Sequence, residues 1–61
     1  MAKVIVWFKN SSKAKDFALR ARKVPGVTYA TDYCRTPGNF HVMVCGDWDE
    51  ETERRIKSKR I

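Results

Sequence analysis

The order of apolar runs and helix signals in this chain predicts an α+β fold of βαββα type. The sheet is three-stranded and antiparallel with the third strand central, and the two helices lie on one face. Three observations carry that expectation. Residues 3–8 and 40–45 are β-branched, aromatic runs with little polar interruption. Between them, residues 12–24 repeat small and apolar side chains at helical spacing. Arg35-Thr36-Pro37-Gly38-Asn39 has the turn chemistry that joins two strands as a hairpin.

The first strand, Lys3-Val4-Ile5-Val6-Trp7-Phe8, ends at Lys9-Asn10-Ser11-Ser12, whose Asn and Ser side chains suit the free amides of a helix start. From Ser12 to about Val24, Ala14, Phe17, Ala18 and Ala21 form the inward stripe, and Pro25-Gly26 stops the helix. Val27 to Cys34 is the second strand. Phe40 to Cys45, apolar on both faces, is the middle one. A four-residue loop flanked by Arg35 and Phe40 fits the hairpin better than a two-residue loop, because the twist of a Pro-Gly turn matches a tight hairpin poorly. The last helix opens at Asp47 with acids at its positive end and closes with Arg54, Arg55 and Lys57 at its negative end. Trp48, Thr52 and Ile56 are its inward stripe, with fraying expected after Lys57.

Pairing Arg35 with Phe40 sets Cys34 opposite His41, Asp32 opposite Met43 and Ala30 opposite Cys45. Tyr29, Thr31, Tyr33, Phe40, Val42 and Val44 then join Val4, Val6 and Phe8 in the core. Ile5, Trp7, Lys9, Thr28, Ala30, Asp32, Cys34, His41 and Met43 are left on the open face. A slip of one residue exchanges these faces.

At 61 residues there is one domain, 1–61, with room for one core. A hydrophobic content of 43% and seven aromatics belong to a folded chain rather than a disordered one. The net charge of +6 favours acidic partners, whether nucleic acid, an acidic protein face or an anionic lipid surface, although lysines also keep a tiny protein soluble. Met1-Ala2-Lys3 leads directly into the first strand, and no run is long and apolar enough for a signal peptide or membrane span. The expectation is a cytoplasmic protein that engages no membrane and keeps Cys34 and Cys45 reduced.

Cys34 and His41 as cross-strand neighbours, with Asp32 near, are the one catalytic or metal-binding arrangement on offer. A single histidine and too little volume for a substrate cleft argue against it. No catalysis, metal or cofactor is expected. Lys9, Ser11, Ser12, Lys13 and Lys15 gather cations and hydroxyls at a helix start, an anion- or phosphate-binding composition; solvated lysines are the plainer explanation. Trp7, Lys9, Asn10, His41 and Met43 are the candidate partner-binding residues, with Trp7 as either a protein anchor or a stacking platform. For direct RNA or DNA binding, the same corner would act with Arg20, Arg22, Lys23, Arg54 and Arg55. A homodimer burying the open face or pairing an exposed edge strand is compatible with either.

Val6-Trp7-Phe8-Lys9-Asn10 resembles the first-strand motif of RNA-recognition-motif domains, but Gly38 to Val44 lacks the paired aromatics of that family's second motif. Trp7-Phe8-Lys9-Asn10-Ser11-Ser12, the 14–20 stretch containing Phe17-Ala18, and Tyr29-Ala30-Thr31 resemble short early proteins of tailed phages, the Dmd-type antitoxins of T-even phages among them. Proteins of that kind bind and block a host toxin ribonuclease. The resemblance implies a non-enzymatic protein in the host cytoplasm that neutralises a host protein, with Trp7, Phe8, Lys9 and Asn10 as its partner-binding edge.

Overall fold

A computed structural model describes residues 2–36 and 39–61, without the side chains of 34–36. These residues form β1 (Ala2–Phe8), α1 (Ser11–Ala21), β2 (Val27–Thr36), β3 (Asn39–Gly46) and α2 (Glu50–Lys57). The sheet order is β1-β3-β2 with both pairings antiparallel, so β3 is central as expected. Both helices cover one face. Phe17 from α1 and Ile56 from α2 are fully buried with Val42 and Val44 of β3, and Val4, Val6, Ala30 and the α1 alanines Ala14, Ala18 and Ala21 complete the buried cluster. Fully burying each of the larger side chains is worth about 1.5–3 kcal/mol. Among the described residues no helix is long and apolar enough to cross a membrane.

α1 begins where Asn10, in extended conformation, turns its Oδ1 onto the amides of Ser12 and Lys13, 2.8 and 3.3 Å away. It ends at Ala21 rather than near Val24. Tighter bonds from the Lys23 amide to Arg20 and from the Val24 amide to Ala21 close it, because Pro25 disfavours helical backbone at the residue before it. Gly26 follows at φ +94° and Gly46 packs on its carbonyl; a Cβ on Gly46 would lie 2.1 Å from that oxygen.

α2 starts later than expected, at Glu50, because Asp49 accepts the Thr52 amide at 2.8 Å and so caps the helix. Trp48 lies outside the helix, packed against the core, and its indole N–H reaches Glu53 at 3.4 Å. The chain after Lys57 is tied down, contrary to the expected fraying. The Lys59 amide donates to Ile56 and the Arg60 amide to Arg55, and Ile61 packs against the core. Lys59 holds the left-handed position of this cap at φ 63°, normally a glycine's place, at a cost of about 1–2 kcal/mol.

The principal correction concerns β2. At the hairpin, Thr36 pairs with Asn39, so the ladder runs one residue further toward the turn on each strand than a loop flanked by Arg35 and Phe40 allows; Pro37 and Gly38 lie outside the described residues. The register then shifts between Thr36 and Cys34, leaving Arg35 as one extra residue, and Cys34 pairs with Phe40. Residues 29–33 of β2 therefore change face, until a second register shift between Tyr29 and Val27, and Val27 packs against the core. Ala30 faces the core opposite Val44, while Tyr29, Thr31 and Tyr33 stand opposite Cys45, Met43 and His41 on the open side. Tyr29 and Tyr33 are 47% and 37% exposed, not core residues. β1 and β3 keep their expected faces.

Candidate functional site

Strand alternation places Lys3, Ile5 and Trp7 of β1, His41, Met43 and Cys45 of β3, and Tyr29, Thr31 and Tyr33 of β2 on the face away from the helices. Lys3 is the one formal charge in that set. Trp7, His41 and Tyr33 stand in line across the three strands. The imidazole centroid is 4.8 Å from the indole, tilted 46°, and 5.2 Å from the phenol, inclined by only 21°. Rings lying flat on the sheet cannot come that close side by side, so these pack partly face to face and turn edges outward.

That packing covers His41, which is only 9% exposed although it lies on the open face; its buried Nδ1 has no hydrogen-bond partner among the described residues. Trp7 remains 57% exposed and Ile5 46%. At the far side of the face, Tyr29 and Tyr33 share a hydrogen bond of 2.8 Å between their hydroxyls. That bond and the proximity of Tyr29 hold the Tyr33 phenol above the ordinary tyrosine range. The Cys34–His41 juxtaposition does not form, because Tyr33 takes that place opposite His41.

Beyond Trp7, at the end of β1, lies a hollow of about 660 Å³ lined by Trp7, Phe8, Lys9, Asn10, Lys13, Asn39 and Lys59. Lys59 Nζ sits 4.5 Å from the centroid of the Phe8 ring, a cation–π contact. Of the expected anion-binding residues, Lys9 and Lys13 line this hollow; Ser11, Ser12 and Lys15 do not. The amides of Ser12 and Lys13 are already held by Asn10. Lys59 comes from the far end of the sequence, and only its cap conformation brings it here.

The residues expected for nucleic acid are divided between the helices. Arg20 pairs with Asp16 at 3.2 Å, and Arg22 donates through Nε to the Ala30 carbonyl on edge strand β2 at 2.8 Å. Lys23 follows α1, exposed. Arg54 and Arg55 are exposed on α2, which packs against β1, whereas α1 packs mainly against β2 and β3. None of the five is on the face that carries Trp7. Sequence reasoning assigned Tyr29 and Tyr33 to the core and placed Lys59 only among the cations at the end of the last helix; the bulge and the left-handed cap that position them leave no periodic signal. No protein-family model, curated protein or solved structure matches the chain.

Proposed function

We propose that this is a non-enzymatic, phage-type binding protein that docks its open sheet face on a host protein and neutralises it, in the manner of an antitoxin or inhibitor. An RNA-handling or defence protein in the host cytoplasm is the target class. The observation that supports this most is the packed row Trp7–His41–Tyr33, continued by Ile5 and Met43. Rigid rings that turn their edges outward, beside exposed aliphatic groups and with a single cation among them, have the composition of a protein interface core. Trp7 is the anchor, and Lys9 and Asn10 belong to the rim. The resemblance of the Trp7–Ser12 stretch to phage antitoxins supports the same reading.

Base stacking along the face would need an uncovered ring surface at each position, and His41, 9% exposed between two rings, has little. Arg20, Arg22, Lys23, Arg54 and Arg55, the cations that would track a phosphate backbone, lie on or just after the helices, away from that face.

The test is capture from host lysate by the tagged chain, with and without nuclease, followed by washes at rising salt. A partner protein retained in stoichiometric amount, resistant to nuclease and weakly dependent on salt, is expected. Loss on nuclease treatment, or a steep log–log fall with salt, contradicts the proposal and favours direct RNA or DNA binding. Sedimentation of the purified chain adds a further check. A stable dimer that buries Trp7 would make a second copy the occupant of the face.

A further inference from the structure

We propose that the hollow at the end of β1 is a separate binding site for a planar ring carrying a phosphate monoester. That is the chemistry of a nucleoside monophosphate, free or as the 5′ end of a single strand. The site goes beyond the docking face, sharing with it the anchor Trp7 and the rim residues Lys9 and Asn10, and requires no host protein.

Three separated pieces of chain bring lysines to the lining of one hollow of about 660 Å³: Lys9 after β1, Lys13 in α1 and Lys59 in the cap of α2. Neither Asp nor Glu is among its lining residues. Lysines act on phosphate as point charges, and a phosphate monoester carries about 1.5 to 2 negative charges at neutral pH, a closer match to three cations than one carboxylate offers. The helix amides play no part, since Asn10 holds two of them.

Beside the cations, Trp7 forms one wall. One side of its indole packs on His41, yet the residue is still 57% exposed, so a planar ring can stack on the other side. Lys59 contributes the second observation. A lysine occupies the left-handed position at φ 63° that glycine fills without strain, and there its ammonium group lies over the ring of Phe8, another residue of the hollow's lining.

The experiment is titration of the full chain with AMP, adenosine, inorganic phosphate, a hexaglutamate peptide, and a short oligothymidylate with or without a 5′ phosphate. Trp7 fluorescence is read in a Trp48→Phe background, and amide chemical shifts of the unsubstituted chain serve if that variant does not fold. AMP should bind at least about tenfold more tightly than adenosine or phosphate alone. Lys13→Gln and Lys59→Gly should each weaken AMP severalfold without lowering the melting temperature; glycine suits the backbone at position 59. Tighter binding of the 5′-phosphorylated strand than of AMP identifies a strand end as the source, and the reverse order identifies a free nucleotide. Equal binding of AMP and adenosine, hexaglutamate binding as tightly as AMP, or lysine variants that leave AMP affinity unchanged would overturn the proposal. Host-protein capture persisting in those cases shows that the site alone has failed.

Discussion

Tyr33 stands directly across the β2–β3 ladder from His41, its ring stacked on the imidazole that Trp7 covers from the other side. A sheet face that would otherwise hold a polar histidine thereby becomes a continuous aromatic ridge. The histidine is held by ring packing, and its buried Nδ1 has no hydrogen-bond partner among the described residues.

His41→Phe should therefore stabilise the fold. The substitution keeps a ring between Trp7 and Tyr33 and removes an orphaned polar atom whose burial costs about 1–3 kcal/mol. Part of that gain is lost to the larger ring, so a rise of about 1 kcal/mol in urea unfolding is expected. A clear loss of stability would mean that the imidazole nitrogen makes a favourable interaction in solution.

The inverted face of β2 makes a second prediction. Ala30 is 3% exposed opposite Val44, so Ala30→Leu should overpack the core and cost about 1–3 kcal/mol. Tyr29→Leu, on the open face, should change stability by no more than about 0.5 kcal/mol. The reverse ranking in denaturant unfolding would restore the register that places Tyr29 inside.

These two positions also show what the sequence can reveal. Val4, Val6 and Phe8 alternate with Ile5 and Trp7 without interruption, so the faces of β1 and β3 follow from period alone. The same alternation in β2 points the wrong way, because the extra residue Arg35 is a property of backbone pairing with no composition of its own. Asn10 was legible as helix-start chemistry. Lys59 was not, since its residue type argues against the conformation it adopts. The ridge and the hollow both depend on these two irregular places.

Asp49 sets the acid response of α2. Hydrogen bonds from Thr52, side chain first and then backbone, hold its carboxyl below the ordinary carboxylate range. A depressed folded value means that the contribution is present above the unfolded carboxyl's pKa and disappears as pH falls through the folded one. Helical circular dichroism should thus fall as the medium is acidified below about pH 4, with a component that is absent in Asp49→Asn, which caps without titrating. Identical acid profiles for the two proteins would contradict this assignment.

The docking claim is tested most directly by comparing two equally exposed apolar residues on opposite sides of the molecule. Trp7 is 57% exposed on the open sheet face, and Leu19 is 51% exposed on α1 in the helix layer. The measurement is the affinity of Trp7→Ala and Leu19→Ala for the captured host protein. A loss of at least about 30-fold for Trp7→Ala, the scale of a buried aromatic anchor, with Leu19→Ala unchanged, is the predicted result. Undiminished affinity of Trp7→Ala, or a greater loss at Leu19, would contradict it.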